Sequence, residues 1–353
     1  VAKHLPAGWK PAGNQLGEGG AATVYPAVRE NSADTTKHAV KVLRSNAPDV
    51  LLARFYQEID TIKKLSHPNI ISVVESSKQG DSLHYYVMPF IEGAKSLRKL
   101  SAAGASPYAS DAERSVELFI DICEGLDHCQ SFGITHRDLS PANILILPGG
   151  LVKIIDFGLC HFDDGHKLTM TDENAGTPNY MAPECESFSS DPASIRSDLY
   201  SAGKILWSAM TGKATFPREE RVFGPLSMRE MFPEDYSSWH LHDIFSNTIR
   251  RDPKSRWSTA KEAVSGARRV LDRIRSRTLP IEFLATINVC PICRIGTMRS
   301  PDDVFEGGGG YTLFTTDRQP KGVVRMVCEH CGWCHLISRS HQRKTMESRQ
   351  NLS

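Results

Sequence analysis

The chain has no stretch near the roughly 18 to 20 consecutive apolar residues needed to span a bilayer. Its first residues, VAKHLPAGWKPAG, hold no apolar run and do not read as a secretory signal. Charge of one sign is lacking too. Lys and Arg number 42 against 41 Asp and Glu, for a formal net charge of +1. Nothing global therefore points to nucleic acid or an anionic membrane, and any such preference must come from a local patch. No internal repeat is visible. Together these absences predict a soluble, cytoplasmic chain with no membrane partner. What is present favours a packed core: 353 residues, 40% hydrophobic and 24% charged, argue against a disordered chain. The length predicts one large bilobed domain with a small appendage.

Cysteine usage divides the chain. Of nine cysteines, five cluster after residue 289 in Cys-x-x-Cys spacing and four are scattered singly. In a reducing compartment clustered pairs mean metal and scattered ones mean core packing. Residues 16–91 read as short strands around one helix, in which Leu51, Phe55, Ile59, Ile62 and Leu65 fall at helical spacing. Residues 110–275 are mainly helical. The run NILILPGGLVKII, broken by Pro148, Gly149 and Gly150, reads as two buried strands and a turn. A strand-rich lobe before a helix-rich lobe is an α+β pattern, and ligands prefer the crevice such lobes leave. The expected domains are a first lobe at 10–91, a second at 92–276, a linker at 277–288, a separate unit at 289–337 and a polar tail at 338–353.

Several short segments carry chemistry. In LGEGGAATVY, from Leu16 to Tyr25, Gly17 and Gly19 lie between strands, where glycine lets backbone N–H groups approach triphosphate oxygens. A plain hairpin turn is the other reading. In HAVKVL, Lys41 interrupts an apolar strand, and Glu58 on the following helix is a candidate partner. A lysine at an exposed strand edge is the alternative. THRDLSPANIL, from Thr135 to Leu145, sets Asp138 and Asn143 five residues apart, and VKIIDFGLC brings Asp156 just downstream. A carboxylate to accept a proton from an attacking hydroxyl, with oxygen ligands for magnesium, is what phosphoryl transfer requires. GTPNYMAPE follows, from Gly176 to Glu184.

As an ordered set, these motifs resemble the eukaryotic-type (Hanks-type) serine/threonine protein kinases over roughly residues 10–275. The resemblance implies the bilobal kinase fold, ATP and magnesium as cofactors, and a protein substrate. It implies that Gly17 and Gly19 cover the phosphates, that Lys41 contacts them and pairs with Glu58, and that Asp138 is the catalytic base. Asn143 and Asp156 would hold magnesium. Met88 looks like the gatekeeper, Pro89 to Ile91 the hinge, and Val24, Ala39 and Leu145 the walls about the adenine, beside Leu16. Ile62, Val73, His136 and Phe157 match an internal stack, Asp198 a buried anchor under the catalytic loop, and Glu184 with Arg256 a buried ion pair. Arg137 implies a phosphate to answer, so one or both of Thr169 and Thr171 are expected to be phosphorylated in trans through transient self-association; plain loop threonines are the alternative. Thr177 favours serine/threonine over tyrosine specificity.

One position departs from the family. Lysine ordinarily stands two residues after the catalytic aspartate, and this chain has Ser140. Loss of that charge implies a slow enzyme, or compensation by a substrate group, Lys153 or Lys204. A nucleotide-binding scaffold without catalysis is the rival reading.

The C-terminal cysteines pair as Cys290 with Cys293 and Cys328 with Cys331, 34 residues between the pairs, and Gly332 suits a tight knuckle. Four thiolates from two turns suit tetrahedral zinc, so a zinc ribbon is expected, with an iron–sulfur site or redox dithiols as alternatives. Cys334, His330 and His335 are spare donors. Arg268, Arg269, Arg273, Arg275 and Arg277 precede it on a basic helix, which predicts either a solvated face or contact with a nucleic-acid backbone. The ribbon's partner is thus a protein or a nucleic acid, with a docking role preferred.

Overall fold

In this computed structural model the described residues are 5–18, 22–157, 178–186, 194–216, 222–278, 298–299, 323–328 and 334–338. Side-chain alternation decides the first sheet. Strands β1 (Trp9–Pro11), β2 (Gly17–Glu18), β3 (Ala22–Arg29), β4 (His38–Leu43), β5 (Glu75–Ser76) and β6 (Tyr85–Pro89) pair in the order β1-β3-β4-β6-β5, with β2 on β3. Neighbouring side chains point to opposite faces. One face therefore gathers Trp9, Ala27, Val40, Val42 and Val87 into a core cluster. Each fully buried valine contributes about 2 kcal/mol by leaving water. The other face carries Ala39 and Lys41, set opposite Met88 and Tyr86, with Val24 opposite Lys41 from β3.

Helix α1 (Asp49–Lys64) covers that second face. Its apolar stripe buries Phe55, Ile59 and Ile62, as the spacing predicts, and Phe55, Tyr56 and Ile59 pack with Leu43 and Tyr86. The same stripe buries Glu58, which an apolar contact alone would not tolerate.

The helical part begins with β7 (Lys95–Ser96) and α2 (Leu97–Ala102), whose N-cap Ser96 accepts from the Lys99 N–H. Helix α3 (Ala112–Ser131) is capped by Asp111, which accepts from the Arg114 N–H, and ends before Gly133 at φ 68. The expected pair of strands forms as β8 (Ile144–Ile146) and β9 (Val152–Ile154), joined through Gly149 and Gly150 at φ 91 and 90, and β7 completes their sheet. Short α4 (Pro183–Glu186) precedes α5 (Ile195–Thr211), which is buried along nearly its whole length. Helix α5 crosses the segment around Thr248 so closely that a Cβ on Gly203 would lie 2.3 Å from Thr248 Oγ1 and 2.8 Å from its Cβ. Helices α6 (Met228–Met231), α7 (Tyr236–Trp239), α8 (His242–Ser246) and α9 (Ala260–Arg275) follow. The strand-rich then helix-rich order expected from the sequence is the one that forms.

Residues 1–231 with 241–272 make one compact unit, and 232–240 with 273–353 make a second. Within the second, β10 (Met298–Arg299), β11 (Val323–Cys328) and β12 (Cys334–Ser338) pair antiparallel in chain order. Cys328 closes β11 and Cys334 opens β12, whereas Cys290, Cys293 and Cys331 lie outside the described residues, as do Gly19, Thr169, Thr171 and Thr177.

Candidate active site

The site is built on Lys41. Its Nζ lies 2.9 and 3.2 Å from the two oxygens of Glu58 and 2.5 Å from Asp156 Oδ1. Three stretches meet there: β4 supplies the ammonium, α1 one carboxylate, and the residue pair after β9 the other. An exposed strand-edge lysine is excluded, since only 12% of the side chain reaches solvent. Burial pushes the Lys41 pKa down, but the charges of Asp156 and Glu58 more than offset it and hold the ammonium well above its ordinary value. Burial likewise raises Asp156, and the contact with Lys41 outweighs it, keeping that carboxyl below the usual range.

Tyr86 completes this cluster and was not anticipated. Its hydroxyl donates to Glu58 Oε1 at 2.9 Å, and its ring centroid is 5.5 Å from Lys41 Nζ. A tyrosine in a strand-forming run reads as core packing, and only the register opposite Lys41 exposes its second task. Tyr86→Phe keeps the packing and removes one hydrogen bond to a buried carboxylate, worth about 1.5–3 kcal/mol. We expect a roughly tenfold rise in KM for ATP with a smaller change in stability, read from initial rates beside urea titration.

The catalytic loop is fixed from beneath. Asp198, 1% exposed within α5, accepts from the backbone N–H groups of His136 at 2.7 Å and Arg137 at 2.8 Å. Burial pushes the Asp198 carboxyl up to about 7, and the two N–H groups pull against that shift. The clamp is needed because Arg137 sits at φ 65, a left-handed conformation that costs a non-glycine residue about 1 kcal/mol. Asp156 shares that trait at φ 60. His136 packs against Phe157 with ring centroids 4.8 Å apart and planes tilted by 57°, and burial pushes its imidazole down to about 4, leaving it neutral. Ile62 is fully buried, and Val73 is half-buried beside the Phe55 cluster.

At the loop's end Asn143 donates through Nδ2 to the Asp138 carbonyl at 2.8 Å and to Asp138 Oδ2 at 3.3 Å. Burial, and then the neighbouring Asp156 charge, push the Asp138 carboxyl up to about 6. A carboxylate poised near neutrality can accept a proton from a hydroxyl. Asp156 and Asn143 supply oxygen donors of the hard kind that magnesium takes.

Val24, Ala39 and Met88 share the Lys41 face of the first sheet, Pro89 ends β6 and Ile91 follows it, whereas Leu145 belongs to β8. Leu16 is 36% exposed, and a Cβ on Gly17 would meet nothing within 4 Å. Among the described residues nothing requires glycine at 17. A ligand lying close above it would.

The two lysines weighed as substitutes for the missing charge at Ser140 are engaged elsewhere. Lys153 Nζ donates to the carbonyls of Pro68 at 2.8 Å and Ile70 at 3.1 Å. Lys204 is 1% exposed, donates to the Phe216 carbonyl, and lies 4.8 Å from that ring's centroid. Neither is a free cation beside Asp138.

Glu184 and Arg256 do pair, at 2.6 and 2.8 Å. Arg256 also donates to the carbonyls of Arg250, Arg196 and Arg251, so every guanidinium N–H has an acceptor. Burial raises the Glu184 carboxyl, and the guanidinium more than offsets this, holding it below the usual carboxylate range.

The site thus joins an ion triad of Lys41, Glu58 and Asp156 to a clamped loop bearing Asp138 and Asn143. The protein kinase domain model matches residues 11–266, and the chain belongs to the protein kinase family. It is 32% identical over 261 residues to the probable serine/threonine-protein kinase PknB of Lactococcus lactis, covering 71% of this chain and 40% of that protein. Against the Bifidobacterium longum protein of the same description it is 33% identical over 273 residues, covering 71% and 38%. The chain thus spans less than half the length of these curated relatives. The crystal structure of the Mycobacterium tuberculosis PknI kinase domain matches with a TM-score of 0.57 and 19% identity, over 76% of this chain and 99% of that one, a likeness of fold. Among the described residues no helix is long and apolar enough to cross a membrane.

Proposed function

We propose that this chain transfers the γ-phosphoryl group of ATP to serine or threonine hydroxyls of protein substrates. The observation that carries this reading is the Lys41 ammonium held between Glu58 and Asp156. So placed, Lys41 orients the α- and β-phosphates, and Glu58, steadied by Tyr86, fixes Lys41. Asp138 aligns the substrate hydroxyl and takes its proton as the bond to phosphorus forms. Asn143 and Asp156 hold magnesium, which when bound neutralises phosphate charge. Leu16, Gly17, Gly19, Val24, Ala39, Met88, Pro89, Ile91 and Leu145 border the nucleotide. Thr169 and Thr171 are the self-phosphorylation sites, modified by a transiently associated second copy.

For the C-terminal unit the proposal is a zinc site made by Cys290, Cys293, Cys328 and Cys331. Its support is topological. Met298, five residues after Cys293, pairs with Cys328, so the chain enters β10 at the sheet end where it leaves β11. Four thiolates from two such turns would suit zinc, and a small zinc-held unit would suit a docking role.

The test is incubation of the full chain with γ-labelled ATP and magnesium, followed by phosphoamino-acid analysis. Label on serine or threonine is expected, with the acid limb of kcat/KM near pH 6, because Asp138 must be ionised to accept a proton. Label on tyrosine alone, or none, sinks the proposal.

A further inference from the structure

Helix α1 carries one hydrogen-bonding side chain on each flank of its apolar stripe. At about 3.6 residues per turn, Tyr56 and Glu58 stand about 160° apart, with Phe55, Ile59 and Ile62 between them. Glu58 faces Lys41 and Tyr86. Tyr56, 7% exposed, faces the chain on either side of the turn between β5 and β6. Its hydroxyl donates to the Lys78 carbonyl at 2.6 Å and lies 3.0 Å from Ser77 Oγ and 2.8 Å from His84 Nδ1. We propose that Tyr56 and His84 form a latch that fixes the rotation of α1, making Tyr56 a positioning residue for the Lys41–Glu58 pair. The inference rests on the phosphotransfer reading and adds to it a residue outside the ion triad.

Proton counting gives the latch its direction. A phenol has one hydrogen and a carbonyl can only accept, so the Tyr56 hydrogen goes to Lys78. The phenol oxygen must then accept from His84, which requires hydrogen on Nδ1. Ser77 is committed to β6: its Oγ accepts from the Tyr85 N–H at 2.9 Å and donates to the Tyr85 carbonyl at 3.2 Å. The rings of Tyr56 and His84 meet edge to face, with centroids 5.7 Å apart, which orients the imidazole.

Rotation is what two flanking bonds control. A helix held on one side can roll about that contact; held on both sides of its stripe, it cannot. The hairpin that both flanks grip is a single piece, since Ser76 pairs with Tyr86 and the Ser77 N–H donates to the Tyr85 carbonyl at 2.9 Å. A roll of α1 that draws Glu58 from Lys41 therefore breaks the Tyr56 bonds as well. Without the latch, a share of the molecules leaves Lys41 unpaired with Glu58 before ATP arrives, and apparent affinity falls with the competent fraction. Once ATP is bound the pair is in place, so the penalty falls on KM and spares kcat.

The test is steady-state kinetics on the full chain with a serine peptide, beside nitrogen NMR of the histidine rings. Tyr56→Phe should raise KM for ATP about fivefold, the order that one net hydrogen bond allows, with kcat within about twofold. His84→Leu should give the same rise, and the double variant no more than either single, because both break one latch. His84→Asn, whose amide offers an N–H near the place of Nδ1, should recover most of the loss seen in His84→Leu. The parent's His84 signals should report hydrogen on Nδ1. An unchanged KM for ATP in both Tyr56→Phe and His84→Leu overturns the latch and leaves phosphotransfer intact. So does a fall in kcat alone, which a merely structural loss would produce, and so does a bare His84 Nδ1. A parent chain that phosphorylates nothing overturns the phosphotransfer reading, and the positioning role with it.

Discussion

Asp138→Asn is expected to lower turnover about a thousandfold and, at the same time, to make the protein more stable at neutral pH. The loss follows from the proposed role: a carboxamide cannot accept the hydroxyl proton, and general-base catalysis contributes about a hundred- to ten-thousandfold. The gain follows from the environment. Burial and Asp156 lift the Asp138 carboxyl from 3.8 to about 6, so its ionised form is disfavoured in the fold. At about 1.4 kcal/mol per pKa unit, keeping it charged costs on the order of 3 kcal/mol. The folded state binds this proton more tightly than the unfolded chain. The cost is therefore absent below about pH 4, grows through the window up to about 6, and is complete above it. Asparagine keeps an oxygen for the Asn143 amide and discards the charge. Urea titrations should show the variant ahead at pH 8, with the advantage shrinking at pH 5. A variant equally stable at both pH values, or one that still phosphorylates peptide at the parent rate, contradicts the assignment.

Arg256→Met has the opposite sign. This guanidinium is buried, bidentate with Glu184, and bonded to three carbonyls. Removing it leaves the Glu184 carboxylate with the Ser197 hydroxyl in place of its countercharge and takes a donor from those carbonyls, at about 3–5 kcal/mol. Thermal unfolding should fall by about 10 °C for a domain of this size. Adding Glu184→Leu should recover part of the loss, because an apolar pair is often as stable as a buried ionic one. A double variant no better than the single would mean that the orphaned carbonyls, not the carboxylate, dominate. Arg256→Lys should also lose stability, since an ammonium cannot reproduce the planar fork.

Both positions were legible in the sequence, and the reason is instructive. Asp138, Asn143 and Asp156 stood out by their spacing in THRDLSPANIL and VKIIDFGLC, and Asp198, Glu184 and Arg256 through the resemblance that the ordered motifs carry. Helix α1 was legible through its apolar spacing, and the β8–β9 pair through the break at Pro148, Gly149 and Gly150. Tyr86 was not, because an aromatic residue in a strand needs no partner to justify it. Its role depends on lying opposite Lys41, and register between β4 and β6 is a tertiary fact. The hopes placed on Lys153 and Lys204 failed for the same reason: charge is visible in a sequence, but the carbonyls that engage it are not.

The tight crossing at Gly203 sets which parts of this protein can change. A methyl group there meets Thr248 backed by a hydrogen bond to the Ile244 carbonyl, so relief would have to come from moving α5 itself. That helix carries Asp198, and displacement would slacken the N–H clamp beneath the catalytic loop. A crossing of helix and loop that touches no substrate is thereby held as tightly as the catalytic loop it supports.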